Sequence, residues 1–250
     1  DQALRALRNG KAVFMEKPML TDFEQFSRMK EFLATHPMIP FCVDYNRSFA
    51  PFIQKIKQEV VHRSSPLIVH YRMNAGFIPK EHWIQTDVGA GRIIGEACHI
   101  FDLFCFLTDS KPVSVSVEAL HAKQDTIFPT DNFSAQIGFA DGSLCTLLYT
   151  SLGHAQLGKE RMELFYDSKS IVMDDYEYLV GHGLPKSFEE SVASADKGHT
   201  QLLNLFFHQL QQSVFKPPIP LERLYNVAAI TLIIDQLACE GGGTREIKTT

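Results

Sequence analysis

The sequence predicts a parallel α/β segment followed by an α+β domain whose sheet is mainly antiparallel. Helix and strand patterns alternate through the first 45 residues, which is the rhythm of a parallel sheet. After residue 112, strand patterns follow one another with short turns, which implies antiparallel pairing. A buried helix precedes these strands, and we expect the helices of this domain to cover one face of the sheet. We therefore expect two domains, residues 1–46 and 47–250.

The first domain is predicted to hold two helices and two strands. In chain order these are helix 1–9, strand 12–15, helix 21–35 and strand 39–43. Gly10 is placed to end the first helix. Thr21 is expected to cap the second helix, because Glu24 three residues later completes a capping box.

The second domain is predicted to hold four helices and six strands. The helices are 49–61, 92–108, 199–214 and 221–239, and the strands are 67–73, 113–120, 132–139, 143–151, 161–166 and 170–174. Residues 140–143 form a hairpin turn between two of these strands. Segments 74–91 and 176–197 are interpreted mostly as loops, and Gly241 begins a triple glycine that ends the last helix.

Composition places the chain among ordinary soluble globular proteins. Hydrophobic residues make up 45%, charged residues 21%, and the net charge is −5, so nothing favours a nucleic-acid partner. No apolar run is long enough for a membrane span. The five cysteines are scattered without a CxxC pair, which favours buried free thiols and a cytoplasmic location.

The most informative segment, 89–104, places Glu96, His99 and Asp102 three residues apart in an otherwise apolar run. On a helix this spacing puts His99 beside both acids, and the apolar surroundings predict burial. Buried charges are costly unless they are paired. The segment alone leaves two interpretations open, a polar network that fixes the core and a site for proton transfer.

Lys17 is a second candidate for chemistry. Glu16-Lys17-Pro18 directly follows a predicted strand, and ligands of open α/β sheets bind beyond the carboxyl ends of strands. Pro18 restricts Lys17 to an extended conformation. On position alone, a surface lysine in a loop is the simpler interpretation.

Taken together, these motifs resemble the glucose-fructose oxidoreductase, inositol dehydrogenase and rhizopine-catabolism (Gfo/Idh/MocA) family. The residues that carry the resemblance are EKP at 16–18, NR at 46–47 and GAGRIIGEACHIFDL at 89–103. The family implies a Rossmann domain that binds NAD or NADP, followed by a large, mostly antiparallel sheet. Its lysine maps to Lys17, its histidine to His99 and the following acid to Asp102. Many members carry an acid where this chain has Gly95, so the role of Glu96 is open.

The cofactor fingerprint of a Rossmann domain, G-x-G-x-x-G between a strand and a helix, is absent from the 250 residues. We therefore expect the pyrophosphate-binding part of the domain to lie upstream, and this chain alone to be inactive. The residues expected to contribute to the nicotinamide side are Glu16, Lys17, Pro18 and Asn46.

In the resulting hypothesis, the full-length protein oxidises or reduces a sugar or nucleotide-sugar at a secondary alcohol or ketone. His99 acts as general base, Lys17 stabilises the reacting oxygen, and Asp102 or Glu96 orients His99. Candidate substrate contacts are Arg72, Asn74, His82, Trp83 and Arg92. Trp83 suits stacking on a sugar face, although packing is the commoner role for a lone tryptophan.

Two alternatives belong to other classes. A chain without its phosphate-binding part could be a non-catalytic sugar-binding or dimerisation module, and a homo-oligomer (dimer or tetramer) through the antiparallel sheet is expected in either case. A metal-dependent hydrolase is disfavoured, because zinc sites on helices favour histidines four residues apart and His99 has none within that distance. No metal is predicted.

Overall fold

The computed structural model describes residues 2–86, 88–121, 123 and 127–247, and it contains two sheets. The smaller sheet pairs β1 (Val13–Met15) with β2 (Phe41–Val43) in parallel. Helix α1 (Gln2–Arg8) precedes β1, and α2 (Phe23–Thr35) connects the two strands. The helix–strand–helix–strand order and the parallel pairing are confirmed.

The start of α2 differs from the prediction. Asp22 rather than Thr21 caps the helix, because its Oδ1 accepts a hydrogen bond of 2.7 Å from the backbone N–H of Gln25. The Gln25 side chain in turn donates to Thr21 Oγ1 at 2.8 Å. Thr21 and Asp22 are both possible caps, and the aspartate, the stronger capping residue, takes the position.

The larger sheet has nine strands in the order β10-β9-β8-β7-β3-β6-β5-β4-β11. Its strands are β3 (Ile68–Asn74), β4 (Pro112–Ala119), β5 (Phe133–Phe139), β6 (Leu144–Thr150), β7 (Glu160–Tyr166), β8 (Lys169–Asp174), β9 (Tyr178–His182), β10 (Glu190–Ser191) and β11 (Gly242–Glu246). The central pair β3–β6 is parallel and every other pair is antiparallel. The predicted fold class, a parallel segment followed by a mainly antiparallel sheet, is therefore confirmed.

Helices cover one face of this sheet. They are α3 (Pro51–Val60), α4 (Cys98–Thr108) and α6 (Leu221–Cys239), and α6 packs on α4, β4 and β11. Helix α5 (His199–Leu210) instead lies near the smaller sheet, where its Phe206 contacts Phe14 of β1. Along β7, Met162 and Leu164 are buried on the helix side, whereas Phe165 points to the opposite face and is 43% exposed. This alternation is the one expected of a sheet with one covered face.

Three strands were missed by the sequence analysis. The predicted loop 176–197 contains β9 and β10, and the triple glycine runs into β11 instead of ending the fold. Gly242 and Gly243 have φ angles of 132° and 145°, which side-chain-bearing residues rarely adopt, so this edge strand lacks the usual signature. Helix α5 ends at Leu210, four residues before its predicted end.

The predicted helix 92–108 is not regular. A π-helical turn, Ile93–Ala97, comes first, and α4 follows it directly. This turn lies next to the end of β1. Its winding therefore determines which side chains of segment 89–104 face the end of that strand.

The cysteines agree with free thiols. All five are unpaired, and four are buried, namely Cys42, Cys98, Cys105 and Cys145. Within the described ranges, no helix is both long and apolar enough to cross a membrane. The cytoplasmic location stays a prediction.

Candidate active site

The carboxyl end of β1 opens into a cavity of about 600 Å³. Lys17 and Pro18 line one side of it, the π-turn forms its floor, and Trp83 stands at its rim. Lys17 Nζ donates a hydrogen bond of 2.6 Å to the carbonyl oxygen of Gly95 in the π-turn. The ammonium group is thus fixed where a parallel α/β segment places its ligand.

His99 lies one helical turn beyond Gly95 and is 5% exposed. Burial lowers its pKa well below 6.5, and the nearby positive charges of Arg47 and Lys17 act in the same direction. The imidazole is therefore neutral near pH 7 and able to accept a proton. Its Nδ1 has no hydrogen-bond partner in the described part of the chain.

Among the described residues, no hydrogen bond joins Glu96 to His99, contrary to the expectation from the i, i+3 spacing. Its carboxylate accepts hydrogen bonds from Arg92 Nη2 at 2.8 Å, from Lys159 Nζ at 2.6 Å and from the Tyr149 hydroxyl. The reason is the π-turn, whose wider winding separates residues that an α-helix would align. Burial alone would raise the pKa of Glu96, but the charge of Lys159 and these hydrogen bonds outweigh it and hold the pKa at about 2.

Asp102 also has another partner. Its Oδ1 lies 3.1 Å from Nε of Arg223 on α6, and no hydrogen bond joins it to His99. Burial raises the pKa of Asp102, against the opposing charge of Arg223. The predicted role of orienting His99 is thus unsupported for both acids, and Asp102 instead connects α4 to α6.

Three of the predicted substrate residues bind backbone carbonyl oxygens of the protein. Arg92 donates to the carbonyl oxygens of Gly76 and Ala75 at 2.8 and 3.0 Å. Asn74 donates to the carbonyl of His154 at 2.9 Å, and Arg72 donates to that of Gly158 at 3.2 Å. Arg72 and Asn74 therefore anchor the loop before β7, and only Arg92 lines the cavity.

The other two predicted substrate residues are exposed. Trp83 is 61% exposed and lines the cavity, an unusual position for a side chain with only a packing role. His82 precedes it and accepts a hydrogen bond from the backbone N–H of Ile84, which caps a short 3₁₀ turn. Gly89 fits under this turn, because a Cβ there would come within 2.5 Å of the Trp83 carbonyl oxygen.

The predicted cofactor residues differ in access. Glu16 is exposed at the end of β1, whereas Asn46 is 1% exposed. The Asn46 amide donates to the carbonyl oxygen of Lys197 at 2.7 Å and contacts His199 Nε2 at 3.0 Å. Asn46 thus holds the loop that precedes α5.

Two further groups of the site were not foreseen. Lys159 lines the cavity, and no motif in the sequence marks it. The fully buried Glu160 accepts from Arg47 at 3.0 and 3.1 Å, from Tyr71 at 2.5 Å and from Lys197 at 2.5 Å. The signal for Glu160 was available, since it continues the buried alternation of Met162 and Leu164.

Family models match both parts of the chain. Residues 1–45 match the model described as "Oxidoreductase family, NAD-binding Rossmann fold", and residues 65–172 match the "GFO/IDH/MocA C-terminal domain". The two matches together cover more than half of the 250 residues. No curated protein matches the chain.

Solved structures with the same fold include three sugar-related dehydrogenases. The myo-inositol dehydrogenase from Lactobacillus casei, in complex with NAD(H) and myo-inositol, superposes with a TM-score of 0.74 at 17% identity, covering 99% of this chain and 74% of that chain. The WlbA dehydrogenase from Bordetella pertussis, in complex with NADH and UDP-GlcNAcA, gives 0.74 at 17% identity, with 100% and 76% covered. The UDP-N-acetylglucosamine 3-dehydrogenase from Acidithiobacillus ferrooxidans gives 0.71 at 20% identity, with 94% and 73% covered.

The fold and the two domain matches define a dinucleotide-dependent dehydrogenase. The chain belongs to the GFO/IDH/MocA family of NAD(P)-dependent oxidoreductases.

Proposed function

We propose that the protein containing this chain transfers a hydride between NAD(P) and a secondary alcohol or ketone of a sugar or nucleotide-sugar. The observation that carries the proposal is the 600 Å³ cavity that Lys17 lines at the end of β1. Lys17 Nζ binds the carbonyl oxygen of Gly95, which lies one helical turn before the buried, neutral His99; His99 itself does not line the cavity. We further propose that residues 1–46 and 47–250 are its two domains.

The residues at the end of β1 suit the nicotinamide end of the cofactor, since Lys17 and Pro18 open directly into the cavity. A bound nicotinamide would supply the hydride acceptor for oxidation and the hydride donor for reduction. In the oxidation direction, His99 accepts the proton of the substrate hydroxyl while the hydride leaves the adjacent carbon. Lys17 Nζ donates a hydrogen bond to the same oxygen and stabilises its developing negative charge.

The exposed ring of Trp83 supports a sugar as substrate. A tryptophan at the rim of a cavity presents a flat apolar face, while charged groups inside provide hydrogen bonds to hydroxyls. The known ligands of the structural relatives, myo-inositol and UDP-GlcNAcA, agree with this chemistry.

Replacement of Lys17 tests the proposal. Lys17→Met is expected to lower kcat about 100-fold, because one oxyanion donor is lost. NADH formation is followed by absorbance with myo-inositol, UDP-N-acetylglucosamine and UDP-GlcNAcA as substrates. Lys11→Met is the matched control, since Lys11 is exposed just before β1 and outside the cavity. An unchanged kcat in Lys17→Met, or sugar binding without any NAD(P)-dependent turnover, would favour the non-catalytic module instead.

We also propose that the protein forms a homo-oligomer through the uncovered face of the large sheet. Ile68 and Phe165 are directly paired neighbours on β3 and β7, and they are 55% and 43% exposed on that face. Adjacent exposed apolar side chains in the middle of a sheet are typical of an interface. A second copy of the chain presents the same apolar surface, so two copies can pair face to face about a twofold axis.

Phe165→Lys is expected to shift the assembly to the monomer, because it buries a charge in the proposed interface. Light scattering after size-exclusion chromatography measures the mass. Val61→Lys is the control, since Val61 is 54% exposed but lies after α3, away from the sheet face. An unchanged assembly in Phe165→Lys contradicts this interface.

A further inference from the structure

The cavity has an excess of positive charge that hydride transfer to a neutral sugar does not require. Its ionisable lining consists of three cations, Lys17, Arg92 and Lys159, and one carboxylate, Glu96, among the residues that the structure describes. Lys17 is assigned to the reacting oxygen. The remaining excess lies around Glu96, which Arg92 and Lys159 share.

Arg92 is committed to the protein. Its side chain is 2% exposed, and its donors reach Glu96 and the carbonyl oxygens of Ala75 and Gly76. The guanidinium therefore neutralises Glu96 from inside the wall, and little of its hydrogen-bonding capacity is left for a ligand.

Lys159 is placed differently. Its side chain is 44% exposed, and its ammonium makes one hydrogen bond, of 2.6 Å, to Glu96 Oε1. An ammonium group has three N–H donors, so two of them have no partner among the described residues. Because Arg92 and Tyr149 also satisfy Glu96, Lys159 can bind a second anion without leaving Glu96 unpaired.

The backbone of Lys159 is fixed, which gives the ammonium a defined position. Its N–H donates to Asp175 Oδ2 at 3.1 Å, and its carbonyl accepts from the N–H of Asn74 at 2.7 Å. The preceding loop is held by the Asn74 side chain as well. Only the side chain of Lys159 needs to move for a ligand to bind.

We infer that Lys159 selects an acidic sugar, whose carboxylate or phosphate it binds while the reacting carbon faces Lys17. The inference rests on the proposed function and names the substrate class of the same cavity. A cavity of this size holds one sugar unit with its substituents, so the anionic group belongs to that sugar or to its first substituent.

Binding of three probes to the protein tests the inference. D-Glucuronate carries a carboxylate, D-glucose 6-phosphate carries a phosphate, and D-glucose carries neither. Trp83, the only tryptophan of the chain, reports binding through its fluorescence because it lines the same cavity. At least one acidic sugar is expected to bind more tightly than glucose, and the better of the two identifies the anionic group.

In Lys159→Met, the preferred acidic sugar is expected to bind roughly 10- to 100-fold more weakly, since a hydrogen bond to a charged group is lost, whereas glucose binding stays the same. Lys159→Arg restores the preference by restoring the charge. Lys80→Met is the matched control, because Lys80 is exposed and does not line the cavity. Thermal unfolding of each variant verifies that it is folded.

Three results overturn the inference: no preference for either acidic sugar in the parent protein, no binding of either acidic sugar, or an equal loss of acidic and neutral binding in Lys159→Met. The proposed function fails separately. If the protein reduces NAD(P) with neutral sugars and shows no preference for acidic ones, the proposed function holds and the inference about Lys159 fails. If acidic sugars bind in a Lys159-dependent way without hydride transfer, the inference holds and the proposed function fails.

Discussion

Replacement of His99 by asparagine is expected to lower kcat by about 10²- to 10⁴-fold, the usual contribution of a positioned general base. The asparagine side chain is of similar size but cannot accept the proton of the substrate hydroxyl at neutral pH. The variant is expected to fold, because His99 has no hydrogen bond through Nδ1 that asparagine would need to replace. Steady-state NADH formation measures kcat, and fluorescence titration with NADH verifies that cofactor binding is retained.

The pH dependence of the parent enzyme follows from the same residue. Burial and the neighbouring positive charges of Arg47 and Lys17 lower the pKa of His99 below 6.5. The base is therefore still active at pH 6.5, and kcat/KM is expected to fall only as the pH drops through the lowered pKa. This acidic limb is expected to disappear in His99→Asn.

His62→Asn is the matched control, since His62 is an exposed histidine that follows α3. Its kcat and pH profile are expected to equal those of the parent enzyme. A His99→Asn enzyme with the parent kcat, or one that keeps the acidic limb, would exclude His99 as the base.

Replacement of Glu160 by glutamine is expected to have the largest effect on stability. Glu160 is fully buried, and its carboxylate faces Arg47, whose side chain is only 8% exposed, and Lys197. The glutamine leaves the buried Arg47 without a counter-charge, which costs about 3 kcal/mol or more in free energy of unfolding. Urea denaturation measures this free energy.

Glu163→Gln provides a control on the same strand. Glu163 pairs with Arg161 at 2.9 Å, but both side chains are partly exposed, so its removal is expected to cost less than about 1 kcal/mol. If Glu160→Gln loses no more stability than Glu163→Gln, the buried network does not hold the fold together.

Acid unfolding gives an independent measurement of the same network. Burial would raise the pKa of Glu160, but Arg47 and Lys197 outweigh it and hold the pKa at about 2, below the ordinary 4.5. Because the folded pKa is lower than the unfolded one, the stabilisation is complete above pH 4.5 and is lost as the pH falls towards 2. Glu160→Gln is expected to lack this part of the pH dependence.

The sequence predicts the fold well where burial imposes a regular pattern. Helix α6 was predicted with its observed bounds, and the strands β3 to β8 were each found within two residues at either end. These elements pack against the core, so the period of their apolar residues follows their geometry. The edge strands β10 and β11 bury little, and glycine contributes no side chain to a pattern.

Within the site, the sequence identified residue types better than their partners. Lys17 was predicted from its position after a strand, and it does line the cavity. The cluster of Glu96, His99 and Asp102 was predicted from α-helical spacing, but Glu96 lies in the π-turn, whereas His99 and Asp102 lie in the regular helix α4. Glu96 therefore turns to Lys159, a residue 63 positions away that no local pattern connects with it.

The position of β3 at the centre of the large sheet has a consequence for how the chain folds. Its two neighbours are β6 and β7, so Ile68 pairs with Leu144 on one side and with Phe165 on the other. On the ribosome, β3 is synthesised long before either partner, so one of its edges stays unpaired until β6 has been made and the other until β7 has been made. Pairings so distant in sequence close slowly. The central strand that anchors the cavity wall thus gains its second neighbour only after β7 has been synthesised, so the walls of the site assemble after the middle of the chain has left the ribosome.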